Sequence, residues 1–160
     1  MDLHSAYPAI SDLRDRARRR IPRFVWEYLD SATGTEATKH RNRAALDRIG
    51  LMPSILHGEM TADLSVNLLG QTLPLPFGVA PVGMSGLMWP DAEGHLARAA
   101  ARAGIPYTLS TVASQSPEDV APHLGPQAWF QMYPPRGEEI RRDMLARARS
   151  AGFSVLILTV

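Results

Sequence analysis

The sequence predicts an α/β fold in which a parallel sheet is built from strands that alternate with helices. Three observations carry this. Nearly continuous apolar runs recur at residues 75–80, 106–110, 128–132 and 153–160, as strands covered on both faces require. Helical stretches at 92–103, 116–123 and 137–151 separate them, giving the order βαβαβαβ. Glycines at 104, 125 and 152 mark the returns from helix to strand, where such loops favour that residue.

Composition bounds the function classes. With 160 residues, 45% apolar and 21% charged, the chain can bury a real core and is not disordered. A net charge of +1 supplies no field for nucleic acid. Basic residues do crowd at Arg14, Arg16, Arg18, Arg19 and Arg20, and that cluster reads as a solvated helix face before it reads as a nucleic-acid module. The absence of cysteine excludes a disulfide framework and thiolate catalysis. No apolar run reaches the roughly 20 residues a bilayer demands, and Met-Asp-Leu-His-Ser is no signal peptide. The expected location is the cytoplasm, with association at the inner face of a membrane as a second option.

Taken in order, residues 11–20 form a first helix, with Ser11 as its cap, Asp12 and Asp15 in its first turn and Leu13, Ala17 and Ile21 at helical spacing. Pro22 interrupts it. A second helix runs from Arg23 to about Ser31, with Phe24 and Tyr28 on one stripe, and a third from Thr35 to Ile49, closed by Gly50. From Leu51 to Gly70 the pattern is extended, and the alternation of Leu64-Ser-Val-Asn-Leu before Gly70-Gln71 specifies a small β-hairpin. Pro81 then ends the first core strand, and Gly83 and Gly86 open the loop after it to close approach.

Strict alternation leaves two closures, a doubly wound sheet and a (β/α)8 barrel. The loop after the first strand reads Gly83-Met-Ser-Gly86 and lacks the dinucleotide-binding glycine pattern, which favours the barrel. The expected fold is therefore the N-terminal half of a (β/α)8 barrel, four parallel strands preceded by short helices and a hairpin. In a barrel the site collects at the C-terminal strand ends. Those ends carry Ser110 and Thr111, Gln131 and Tyr133, and Thr159. These hydroxyls and one amide can hydrogen-bond a flat heteroaromatic ligand but cannot readily take a carbon-bound proton. Histidines 4, 40, 57, 95 and 123 fit none of the strand ends.

Several motifs in order resemble one family: Pro22-Arg-Phe-Val-Trp-Glu-Tyr-Leu-Asp-Ser-Ala, Arg41-Asn-Arg, Pro76-Phe-Gly-Val-Ala-Pro-Val-Gly, Ala97-Arg-Ala-Ala-Ala, Thr108-Leu-Ser-Thr, Trp129-Phe-Gln-Met-Tyr and Leu158-Thr-Val. Together they are similar to the FMN-dependent α-hydroxy-acid dehydrogenases and oxidases, which include lactate and mandelate dehydrogenases and glycolate oxidase. The resemblance implies FMN as cofactor and oxidation of an L-2-hydroxy acid to a 2-oxo acid. It implies that Tyr28 binds the substrate carboxylate and that Tyr133 is both a substrate-binding and a catalytic residue. It also implies that Pro81, Val82 and Gly83 lie along one flavin face, with Ser110, Gln131 and Thr159 around the ring edge. No metal site is expected. A small 2-hydroxy acid is the expected partner, with oxygen, a quinone or a cytochrome as electron acceptor and a homo-oligomer as the full-length state.

The resemblance divides the chain into helices and hairpin at 1–73 and the first four strands of an FMN-binding barrel at 74–160. Because the sequence ends inside the apolar run 153–160, the expectation is the front part of a longer protein. The family's lysine, histidine base, arginine and phosphate site belong to the later half, so the 160 residues alone are expected to be inactive and to expose Val79, Leu109, Phe130 and Ile157 on the barrel interior. The alternative is a non-catalytic truncated remnant or a partner-binding fragment.

Overall fold

The computed structural model describes residues 3–56, 58 and 61–160. They form two compact units, residues 1–61 and 62–160. The first unit is helical: α1 (Leu3–Ala6), α2 (Ile10–Arg20), α3 (Arg23–Asp30) and α4 (Ala37–Asp47). The short α1 is one helix more than the pattern announced. Asp12 rather than Ser11 closes the start of α2, its carboxylate accepting the Ala9 N–H at 3.0 Å. Pro22 separates α2 from α3 because it has no N–H for a continuing helix. Arg14 is not merely solvated. It holds Asp30 with two nitrogens at 2.8 and 2.7 Å and lies over the Trp26 ring at 5.7 Å, tying α2 to α3.

The second unit opens with the antiparallel hairpin β1 (Val66–Leu68) and β2 (Gln71–Leu73). Leu69 and Gly70 both take positive φ, 51° and 75°, the turn that matches strand twist in a two-residue loop. After it come α5 (Ala92–Ala103), β3 (Tyr107–Ser110), α6 (Pro117–Val120), β4 (Ala128–Met132), α7 (Glu138–Ser150) and β5 (Val155–Leu158). The strands make one parallel sheet in the order β3-β4-β5. Two helices return to it through the same turn. Gly104 and Gly152, at φ 67° and 98°, bond Ala101 and Arg149, while Ile105 and Phe153 reach back to Ala100 and Ala148. Only a residue without Cβ enters that left-handed position cheaply.

The expected first strand, 75–80, is reduced to one parallel bridge between Val79 and Tyr107. Pro74 and Pro76 have no N–H to give a ladder, and Pro81 ends the run, so only the Val79 N–H to Pro106 at 2.8 Å and the Thr108 N–H to Val79 at 3.1 Å remain. Pro76, Phe77 and Ala80 are exposed.

One face of the sheet packs on helices. Leu109, Phe130 and Phe153 pack with Ala97, Ala100, Val120 and Ala148, and Val79 lies against the same cluster. Val79, Leu109 and Phe130 therefore face the helices and not the opposite face; of the four residues expected on the interior, only Ile157 shares the side of Gln131, its register partner. Each fully buried aliphatic such as Leu109 contributes about 1.5–3 kcal/mol. Strand alternation turns Thr108, Ser110, Trp129 and Gln131 to the other side, and there Ser110 and Gln131 are buried. No helix among the described residues is long and apolar enough to cross a membrane.

Candidate functional site

The polar residues of β3, β4 and the segment after β5 meet because the strands are parallel and in register, Ser110 opposite Gln131 and Gln131 opposite Ile157. Parallel strands bring their C-terminal ends to one edge, so residues 20 to 30 positions apart in sequence become neighbours. Gln131, 2% exposed, is the hub. Its Oε1 accepts the Ser110 hydroxyl at 3.2 Å and the Thr111 N–H at 3.3 Å, while its Nε2 donates to Thr159 Oγ1 at 2.9 Å. Thr111 adds a second tie, its hydroxyl donating to the Gln131 carbonyl at 2.5 Å and accepting the Tyr133 N–H at 3.0 Å.

The loop after Val79 docks on the same edge. Met84 gives its N–H to the Val112 carbonyl at 2.8 Å, and Gly86 its N–H to Ser114 Oγ at 3.1 Å. Gly86 is needed for this approach, because a Cβ there would stand 2.6 Å from the Ser114 Cβ. No described residue accepts the N–H of Val82 or Gly83. Both N–H groups belong to the loop that docks at the strand-end edge, where Ser110 and Gln131 are buried and Thr111 and Thr159 half-buried.

Of the residues singled out in the sequence, Ser110, Gln131 and Thr159 are brought together by direct hydrogen bonds. Pro81, Val82 and Gly83 lie in the docked loop, and Tyr133 follows β4 with 51% of its surface open. Tyr28 stands in the other unit, on α3, and is 48% exposed, while the helix buries Val25 and Trp26 instead. His57 and the side chain of His4 lie outside the described residues; His40 is exposed in the helical unit, while His95 is exposed on α5 and His123 ends a 3-10 turn after α6, so neither of the last two stands among the strand-end groups. Among the described residues no cluster of three or more histidines and acids suits a metal ion.

The sequence marks Asp91 and Glu93 only as acids near the start of the helix after the loop, and their place beneath that loop was missed. Glu93 is 1% exposed and accepts the Ser114 N–H at 2.8 Å. Asp91 accepts from Arg98 at 2.6 Å and from Gln115 at 3.1 Å, and both contacts, with Arg98 the stronger, hold its carboxyl below the usual range. The signal was present. Glu93 falls on the stripe of Ala97 and Ala100, i, i+4 and i+7, where a carboxylate is out of place unless it has a task.

The donor set suits a flavin. A flat heterocycle with a polar edge asks for neutral donors and acceptors in a row, and free backbone N–H groups can meet ring nitrogens without introducing charge. The sequence model of FMN-dependent dehydrogenases matches residues 17–160. L-lactate dehydrogenase from Xanthobacter autotrophicus is 41% identical over 150 residues, 94% of this chain and 39% of that protein. The enzyme of the same description from Ectopseudomonas mendocina is 40% identical over 152 residues, 95% and 40% respectively. Among solved structures, mandelate oxidase superposes with a TM-score of 0.86 at 36% identity over 96% of this chain and 45% of its own. A glycine-to-alanine mutant of the active chimera of (S)-mandelate dehydrogenase gives 0.84 at 33% identity over 93% and 42%. The chain spans about two fifths of the length of the curated relatives it matches. Since the match runs through every segment that builds the polar row, the chain belongs to the FMN-dependent dehydrogenase family.

Proposed function

We propose that this chain is the N-terminal part of an FMN-dependent oxidoreductase that converts an L-2-hydroxy acid, of the lactate, mandelate or glycolate type, to the 2-oxo acid. Its sheet is then the first section of a (β/α)8 barrel wall, strand ends toward the site. The observation that carries this reading is the Gln131 hub, a buried amide with three hydrogen bonds to the two neighbouring strand ends, at the edge where a loop docks whose Val82 and Gly83 N–H groups have no acceptor among the described residues. Bound FMN supplies the two-electron chemistry that no side chain here possesses.

Each residue then has a task its chemistry allows. Gln131, Ser110 and Thr159 orient the polar edge of the ring, and their mutual bonds hold them before the ligand arrives, which lowers the cost of ordering on binding. Val82 and Gly83 present N–H groups to one face, with Pro81 stiffening the loop. Tyr133, half open after β4, donates its phenol hydrogen to the substrate hydroxyl region, and Tyr28 offers the substrate carboxylate a hydrogen bond. The row holds no group suited to take a carbon-bound proton near neutral pH, so that step and the phosphate anchor are assigned to chain beyond residue 160. The 160 residues alone are accordingly expected to retain no FMN and to oxidise no 2-hydroxy acid.

The test is to purify the full-length protein that carries this chain, record its visible spectrum and follow dye reduction with L-lactate, L-mandelate and glycolate. A flavin spectrum bleached by one of these acids is expected. In the Tyr133→Phe variant turnover should fall about 10- to 100-fold, the worth of one strong hydrogen bond in the transition state, with flavin content retained. A protein without flavin, or flavin that none of the acids reduces, refutes the proposal.

A further inference from the structure

Beneath the loop lies a carboxylate that the proposed chemistry does not use. Glu93 is 1% exposed and, among the described residues, has no cationic partner. Its Oε1 takes the Ser114 N–H at 2.8 Å, while its Oε2 is buried without a hydrogen-bond partner and lies 3.6 Å from where a Cβ on Gly86 would be. Glu93 sits in the first turn of α5, the positive end of the helix dipole, where an acidic side chain is favoured. It is felt at Tyr107, whose phenol is pushed up by burial and then by Glu93.

Glu93 stands at the centre of a set of ties between two loops. Ser114, held at its N–H by Glu93, holds Gly86 with its Oγ at 3.1 Å, and Met84 bonds Val112 at 2.8 Å. Gln115 accepts the Gly94 N–H at 3.2 Å and donates to Asp91. The loop these ties secure is under strain. Met84 and Asp91 sit at φ 50° and 55°, in the left-handed region, at a cost on the order of 1–3 kcal/mol each, and such residues persist only where the surroundings over-determine them. Strain of that kind clusters where a backbone must be presented to a ligand.

We propose that Glu93 is a positioning residue: acting through Ser114, it fixes residues 81–88 against 111–116 so that the Val82 and Gly83 N–H groups keep one place for the flavin. The role rests on the flavin reading given above. It calls for an accepting oxygen at position 93 rather than a charge, so glutamine should serve and alanine should not.

The experiment compares the full-length, flavin-loaded protein with its Glu93→Gln, Glu93→Ala and Ser114→Ala variants, measuring the FMN dissociation constant and amide exchange at Gly86 and Ser114. Glu93→Ala is expected to weaken FMN about tenfold and to speed exchange at both amides, and Glu93→Gln to stay within about twofold of the parent. Ser114→Ala, which spares Glu93 but cuts the Gly86 bond, should speed exchange at Gly86 and weaken FMN in the same direction. FMN bound equally by the parent and the alanine variants, with exchange unchanged, overturns the role of Glu93 while leaving the flavin reading intact. If Glu93→Ala does not fold, Ser114→Ala decides, and an unchanged Gly86 amide overturns the proposal. A parent without FMN refutes the flavin reading and the loop's role with it.

Discussion

Replacing Gly86 with alanine tests the packing of the loop after Val79 most directly. The new Cβ would stand 2.6 Å from the Ser114 Cβ and 2.8 Å from its Oγ, where carbon atoms pack at about 3.5–4.0 Å. Ser114 is not free to retreat, because its N–H is bound to Glu93 and its Oγ to Gly86 itself. Forcing one methyl into such a contact costs about 1–3 kcal/mol, and losing the Gly86 bond adds about 0.5–1.5 kcal/mol. Against this, alanine restricts the unfolded chain and returns about 0.4–1 kcal/mol, since Gly86 does not occupy a left-handed conformation. The net expectation is a loss of about 1–3 kcal/mol. Urea denaturation followed by tryptophan fluorescence measures it, with Trp89 three residues away as the local reporter. Adding Ser114→Gly removes the opposing Cβ, so the double variant should recover about half of the loss, a coupling of roughly 1 kcal/mol or more. A Gly86→Ala protein within about 0.5 kcal/mol of the parent, or a cycle with no coupling, refutes the contact.

Three further expectations follow from the same geometry. Gln131→Met keeps the side-chain length but orphans the Thr111 N–H and two hydroxyls, so stability should fall by about 2–4 kcal/mol and flavin content should drop; unchanged thermal stability with full flavin would contradict the hub. Tyr107 must stay neutral in the fold, since burial and the Glu93 charge raise its phenol above 10.0; stability should be level below pH 10 and decline above it, and Tyr107→Phe should flatten that alkaline slope in pH-dependent denaturation. Arg147, bonded to both Glu118 oxygens at 2.8 and 2.9 Å, brings that carboxyl down to about 2 from 4.5. The tie from α6 to α7 should therefore be complete above pH 4.5 and vanish as pH falls toward 2, which a carboxylate chemical-shift titration with Arg147→Gln as control would reveal.

How far the sequence could be read depended on the range of the forces involved. Helix α5 spans the expected residues 92–103 and β4 the expected 128–132, because local signals settle them: an alanine-rich stripe ended by Gly104, and an apolar run between Gln127 and the prolines at 134 and 135. The run 75–80 has the same apolar character yet pairs only at Val79, since its prolines withhold N–H donors from the ladder, a demand set by the neighbouring strand. Strand periodicity also placed Ser110, Gln131 and Thr159 at strand ends, but not their hydrogen bonds to one another.

By itself the sequence determined the alternation of strands and helices, the glycine returns at 104 and 152, and the neutral character of the strand-end groups, all consequences of spacing and side-chain type. The tertiary structure decided that Phe130 faces helices while Gln131 gathers three strand ends, that Tyr28 lies on an exposed part of α3, and that Glu93 is buried beneath the loop it ties down. Those outcomes depend on which distant segments share a face, and parallel pairing alone, through its register, brings residues 20 to 30 apart in sequence within a hydrogen bond of each other.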